Sequence, residues 1–318
     1  MDTNLASDSP RSWTDLPFEI LSFIAIRLPI IELLSFRGTC KDFRSASSTA
    51  TAEIQSSKNP WLLFHKTNSS KCIIYNEPES KPYNRKIPEL ETATCLASYQ
   101  GWLLLFKDKS IFFFSPFPLS KITLPEFPQN LITRGHVAAF SDQPTSPHCI
   151  ISIINPIESP FFEMHIISKG QKTWTRHKIR GHSNLKPILT AATYDNKSRT
   201  FYYMVGEVSV LSFSVEDKKA TPYTIVHGGH KDKDTEVMPY VYYKDMFHNK
   251  IEGKICEMDI GDDEYVDVCG LTFESEDSCR RELYLNEVVN ESPTRTQVCK
   301  AVWIQPRFYE SNDQDLHW

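Results

Sequence analysis

The stretch Ser12–Ser45, SWTDLPFEILSFIAIRLPIIELLSFRGTCKDFRS, decides how this chain begins to fold. Pro29 cuts it into two helical patterns. In the first, Asp15 is placed to cap the start, Pro17 suits the first turn, and Glu19 complements the positive end of the helix. Ile20, Leu21, Ile24 and Leu28 recur at helical spacing, and Phe23 and Ile26 add a second apolar face. In the second pattern Ile30, Ile31, Leu33, Leu34 and Phe36 do the same. A helix with one apolar stripe lies on a surface; one that is apolar nearly all round needs cover on several sides. A unit of under ~40 residues rarely owns a core large enough to give that cover. The segment is therefore expected to bury part of its surface against the rest of the chain or against a second protein.

These residues resemble an F-box, the module that docks a substrate receptor onto a cullin-based ubiquitin ligase. The resemblance runs through Leu16-Pro17, Glu19-Ile20-Leu21, Ile24, Arg27-Leu28, Leu33-Leu34, Arg37, Cys40-Lys41 and Phe43-Arg44. Glu32 stands where the family usually has Asp, and Phe43 where it usually has Trp. Both exchanges keep the physical character of the position. The resemblance implies that Leu16, Pro17, Ile20, Leu21, Ile24, Leu28, Leu33, Leu34, Cys40 and Phe43 form the surface that meets an adaptor of the SKP family, and through it a cullin.

Beyond the helices the pattern changes. Residues 1–12 are polar and read as a disordered tail, 13–50 as the helical module, and 51–59 as a linker. From Pro60 onward short β-rich runs are bounded by Pro, Asn, Asp and Ser. Trp61-Leu62-Leu63-Phe64 is followed by a polar turn, Cys72-Ile73-Ile74-Tyr75, and then Lys86 to Leu90. The order repeats in Trp102 to Phe106, a turn at Lys107-Asp108-Lys109, Ile111 to Phe114, and Lys121 to Phe127. A repeat of ~40–50 residues built from short strands is the mark of a propeller blade. Looser units follow at 148–179, 189–226 (with a hairpin expected around Asp195-Asn196-Lys197) and 240–289. The fold class is therefore α+β multidomain: a small all-α module, then an all-β domain over 60–306, a propeller-like array of about five or six blades, and a tail over 307–318. A β-sandwich is the second architecture in view, because Gly totals only 11 and Gly228-Gly229 is the lone diglycine. Residues 60–305 also resemble the kelch-like C-terminal domain, of unknown function, in a large plant F-box family. The cues are Pro60-Trp61-Leu62-Leu63, Gly101-Trp102, Ile122-Thr123-Leu124-Pro125 and Trp303-Ile304.

The chain has 318 residues, 40% hydrophobic and 24% charged, which suits a globular protein with room for two domains. The longest apolar stretch, Glu19 to Phe36, is broken by charges and Pro29, so no membrane span is expected. The acidic start MDTNLASDSP does not resemble a secretory leader. On that basis the Asn-x-Ser sites at Asn68, Asn196 and Asn290 read as surface loops. The eight cysteines form no C-x-x-C pair and are expected to be reduced, placing the chain in cytoplasm, nucleus or both. The net charge of −5 conceals a segment, 251–291, with thirteen acids against three bases. No concentrated basic stripe points to nucleic acid.

Catalytic and metal sets are sparse. His227, His230 and Asp232 around Gly228-Gly229 offer at most a partial ligand set and read better as a loop. Asp259, Asp262, Asp263, Glu264 and Asp267 lack the spacing of a calcium loop. No nucleophile elbow or phosphate loop is present. Trp61, Trp102, Trp174, Phe112–Phe114 and Tyr202–Tyr203 are assigned to sheet interfaces. No cofactor is called for. The expected role is a non-catalytic receptor subunit that binds an unidentified target protein through its β domain. The alternatives are a β-domain scaffold not engaged with a ligase, and a propeller enzyme or sugar-binding domain.

Overall fold

A computed structural model of the chain describes residues 16–50, 61–66, 69–76, 81–129, 132, 135–158, 160–181, 189–206, 209–226, 237–239, 265–269, 298–306 and 317–318. It divides into two compact units, with the boundary between Lys58 and Asn59.

The first unit holds α1 (Phe18–Ala25), α2 (Ile30–Thr39) and α3 (Lys41–Ala46), then a 3-10 turn at Ser48–Ala50. Both prolines act as starters. The Pro17 carbonyl accepts from Ile20 and Leu21 N–H at 3.0 and 3.1 Å, and the Pro29 carbonyl from Leu33 N–H at 2.8 Å. Pro17 is thus the N-cap rather than a residue of the first turn. A proline there has no N–H to leave unpaired, and its fixed φ leads into the helix. Asp15, the expected cap, lies outside the described residues. Two small clusters hold the helices together. Leu21, Phe43 and Ala46 pack with Leu16, Phe36 and Cys40, while Ala25, Leu33 and Ala50 pack with Leu28 and Phe36. Burying each Leu or Phe contributes about 1.5–3 kcal/mol. Polar ties fix the angles: Ser22 Oγ donates to the Ala46 carbonyl at 2.9 Å, and buried Arg37 donates to Ser47 Oγ at 3.0 Å.

The second unit is all β, with eighteen strands in four sheets among the described residues. The sheets are β17-β18-β1-β2-β3, β4-β5-β6-β7, β8-β9-β10-β11 and β12-β13-β14-β15-β16. Their strands run β1 Trp61–Lys66, β2 Lys71–Asn76, β3 Lys81–Lys86, β4 Thr94–Tyr99, β5 Trp102–Lys107, β6 Ser110–Ser115 and β7 Ser120–Thr123. Next come β8 Val137–Phe140, β9 Ile150–Pro156, β10 Phe161–Ser168, β11 Thr175–Arg180, β12 Leu189–Asp195, β13 Thr200–Val205 and β14 Ser209–Ser214. The last are β15 Lys219–Val226, β16 Val237–Pro239, β17 Tyr265–Cys269 and β18 Val298–Ile304. Three of the sheets begin as up-and-down meanders, and their first strands neighbour one another, β4 beside β8 and β8 beside β12.

The C-terminal strand β18 pairs antiparallel with β1, setting Trp303 opposite Leu62 and Ile304 opposite Trp61. β17, drawn from the stretch expected to form a fifth unit, adds to β18 in parallel. The first and last of the described strands therefore share one sheet, and among the described residues the strands form four sheets. The rest of that fifth unit lies outside the described residues. The Trp61/Trp102 echo is real: β1-β2-β3 matches β5-β6-β7, with β18 in the place of β4. Lys86 to Leu90, read as strand-like, is instead the end of β3 followed by a 3-10 turn at Pro88–Leu90, with Pro88 on its first turn.

The turns follow local chemistry. Tyr99 opposes Trp102 and Lys107 opposes Ser110, leaving two-residue loops with positive φ at Gln100, Gly101, Asp108 and Lys109. That is the geometry that matches strand twist. At the β12–β13 turn Asp195 accepts from the Lys197 and Ser198 N–H groups, both at 3.1 Å.

Candidate functional site

The ten residues expected to meet an adaptor do not share one environment. Leu21, Leu33 and Phe43 are buried inside the helical unit, and Phe43 packs at a tilt on Phe36 with ring centres 4.4 Å apart. In the helical unit itself they belong to the two clusters that hold the three helices together. Leu16, Ile24, Leu28, Leu34 and Cys40 are half-buried, and Pro17 and Ile20 are exposed. The outward apolar surface lies on α1, where Phe18, Ile20 and Phe23 are 50%, 46% and 56% exposed. Phe18 was missed because it precedes the periodic run; the second apolar face at Phe23 was the available signal. Arg27 lies over the Phe23 ring at 3.4 Å and donates to the Phe23 carbonyl at 2.9 Å, fixing one end of this patch. A short helix with three large apolar side chains half in water is an unpartnered surface.

In the β unit the named aromatics pack within sheets and, at some positions, between them. Trp61 stacks on Tyr83 with centres 5.7 Å apart, and Trp102 meets Phe113 edge-on. Phe113 in turn meets Phe140 on the next sheet at 4.9 Å. Trp174 packs on Phe127 and donates from its indole N–H to the Pro125 carbonyl at 3.1 Å. Between the β8–β11 and β12–β16 sheets, Phe162, Met164 and Ile179 pack on Phe201, Leu211 and Phe213. Tyr203 Oη and Ser152 Oγ share a hydrogen bond of 2.5 Å inside that interface.

The densest polar group sits on β10. Buried Glu163 accepts from Gln129 Nε2 and pairs with Arg176 on β11. Gln129 Oε1 accepts from His136 Nε2 at 3.0 Å, and His165 Nε2 lies 3.7 Å from Glu163. Burial lowers the His165 pKa, with Arg176 and His177 adding to the effect and Glu163 opposing it. The network ties the loop after β7 to β10. His165 and Glu163 are almost wholly enclosed. A cleft of about 350 Å³ lies elsewhere, lined by residues including Pro88, Lys107, Phe112 and Lys121.

Among the described residues no group of three or more His, Cys, Asp or Glu is arranged to hold a metal ion. His227, His230, Asp232, Asp259, Asp262, Asp263 and Glu264 lie outside the described residues, and Asp267 sits on β17 opposite Lys300. Cys40, Cys72, Cys95 and Cys149 are free thiols. Burial pushes Cys72 and Cys149 up to about 12, which makes them inert as nucleophiles. No described helix is long and apolar enough to cross a membrane.

Comparison with known proteins joins these observations. An F-box domain model matches residues 13–50, and a KIB1-4 β-propeller model matches residues 70–271, more than half of the chain. The chain is an F-box protein of the KIB1-4 β-propeller family. Its relatives are plant proteins from Arabidopsis thaliana. An F-box/kelch-repeat protein is 28% identical over 56% of this chain and 50% of its own length. Two F-box proteins are 29% identical over 67% of this chain and 56% of theirs, and 25% identical over 52% and 44%. The matches thus span about half the length of those relatives. Among solved structures, one described as that of U3-55K aligns over 56% of this chain and 51% of its own at 10% identity, with a TM-score of 0.33. F-box domains in general bind adaptors of the SKP family and thereby cullin scaffolds. The pairing of an F-box with a propeller is the architecture of receptor subunits rather than of catalysts, and at family level it supports a substrate-receptor role.

Proposed function

We propose that this F-box protein is the target-recognition subunit of a cullin-based ubiquitin ligase, with the helical unit held by the adaptor and the β unit holding a target protein. The observation that carries the proposal is the exposure of Phe18, Ile20 and Phe23 on α1, where the other large apolar side chains described in the helical unit are covered or half covered. In this reading Leu16, Pro17, Ile24, Leu28, Leu34 and Cys40 join the adaptor surface, with Leu21, Leu33 and Phe43 holding the helices that carry it. Ubiquitin transfer belongs to partner subunits. This chain contributes proximity, which raises the effective concentration of a target lysine near the charged conjugating enzyme. The ligase works in cytoplasm or nucleus, a setting in which free thiols such as Cys72 and Cys149 stay reduced.

The test is co-purification with the adaptor. Ile20→Asp/Phe23→Asp places two charges on the exposed patch without touching the interior, so it loses the adaptor by at least about a hundredfold in affinity while the melting temperature holds. Leu21→Asp loses it too, but by unfolding the helices. Adaptor binding by the folded Ile20→Asp/Phe23→Asp protein at wild-type affinity overturns the proposal and leaves a β-domain scaffold in its place.

A further inference from the structure

The outer strands of the four sheets close their edges differently. β3 carries Pro82, which has no N–H to offer a new strand. β7 is four residues long, and β16 is three residues closing on Pro239. β11 runs six residues, Thr175–Arg180, without proline. Of the four edge strands β3, β7, β11 and β16, it is the long, uninterrupted one. Its side chains alternate cleanly. Ile179 is buried, and His177 packs on Phe213 with ring centres 5.0 Å apart. Arg176, Lys178 and Arg180 occupy the other face and are exposed. Lys178 Nζ rests 4.4 Å over the Phe161 ring. The β10 residues that oppose this row are His165, Glu163 and Phe161, so three cations face one carboxylate.

Cations on an edge deter pairing with a second copy, because β11 against β11 would bring two such rows together. The same row, spaced about 7 Å from one cation to the next, matches carboxylates on every second residue of an added strand. We propose that β11 is the docking edge for an extended acidic segment of a target protein, which adds beside β11 with its carboxylates against Arg176, Lys178 and Arg180. Main-chain hydrogen bonds supply affinity and the charge row supplies register and choice. The proposal rests on the β unit being the target-binding half of the receptor.

The probes are synthetic peptides of alternating Thr-Glu, Thr-Gln and Thr-Lys, titrated against the full chain. Thr-Glu binds at least about tenfold tighter than Thr-Gln, Thr-Lys does not bind, and the gap narrows with salt. Lys178→Glu/Arg180→Glu leaves the Arg176–Glu163 pair intact and weakens Thr-Glu by about tenfold or more. Lys178→Gln/Arg180→Gln does the same to a smaller degree and serves if the reversed variant fails to fold. Bound Thr-Glu slows hydrogen exchange of β11 amides. Equal affinity for Thr-Glu and Thr-Gln, unchanged affinity in the folded variants, or binding without protection of β11 overturns the proposal. Adaptor co-elution is read on the same samples. Its loss in wild type with peptide binding intact counts against the ligase reading alone, whereas its retention with no peptide binding counts against the β11 edge alone.

Discussion

In the helical unit three large apolar side chains of α1 stand about half exposed, whereas among the described residues of the β unit only Leu119 does, at positive φ in the β6–β7 turn. The difference follows from geometry. Among the described residues, three short helices enclose two small clusters, and neither cluster takes in Phe18, Ile20 or Phe23. Each central sheet has neighbours on both faces, so a side chain such as Phe113 can touch its own sheet and the next. The helical unit therefore offers apolar surface and the β unit offers charge, and the two kinds of surface suit two kinds of partner.

The strongest way to break this division is Trp102→Ala. Trp102 is fully buried at the head of β5. Truncating it costs the β unit about 3–5 kcal/mol. The helical clusters do not include Trp102, so adaptor binding by Trp102→Ala is expected at wild-type strength. Denaturant unfolding followed by near-UV circular dichroism, beside an adaptor pulldown, reads both. A joint loss would show that the units fold as one.

Much of this was legible in the chain. Pro29 marks the break between α1 and α2 because a proline cannot continue a helix. The Trp61 and Trp102 runs mark β1 and β5 because each is apolar on both faces of a central strand. What was not legible is non-local. Nothing near Trp303 says that β18 pairs with β1. β3 reads KPYNRK, too polar for a strand pattern, and forms only because β2 lies beside it. Within α1, Ile20 and Leu21 are adjacent and equally apolar; which one faces the core depends on where Phe36 and Phe43 sit, which helical spacing does not encode. Glu163 and His165 are likewise unremarkable in FFEMHIIS until Gln129 and Arg176 close over them.

A smaller effect sharpens the comparison through pH. Burial, with Arg176 and His177 adding to it and Glu163 opposing, lowers His165; burial and then Lys218 lower His177. A histidine whose folded pKa lies below its unfolded value binds its proton more readily once unfolded. Its stabilising effect is complete above the unfolded value near 6.5 and is lost as pH falls from there through the lowered folded value. The β unit is therefore expected to lose stability as pH falls below about 6.5. His165→Gln removes part of the slope. The helical unit has no histidine between Leu16 and Ala50 and is expected to show none of this slope. Urea midpoints of wild type and His165→Gln at a series of pH values decide it; parallel curves would remove His165 from the account.

The smallest expected effect tests whether charge on the β unit serves stability at all. Arg199 and Glu216 form a pair of 3.4 Å with both side chains more than half exposed. In water such a pair gains little, because solvent screens it and two long side chains must be held still. Glu216→Ala is therefore expected to shift stability by no more than about 0.5 kcal/mol. The same reasoning applies to Lys178 and Arg180 on β11, whose charges face solvent. If Glu216→Ala or Lys178→Glu/Arg180→Glu costs the β unit more than about 1 kcal/mol in urea unfolding, the exposed charges are structural. In that case a loss of peptide binding on reversing them would no longer report recognition. If both are close to neutral, the cations of β11 have no role in holding the sheet, and selectivity for an acidic strand is what their row provides.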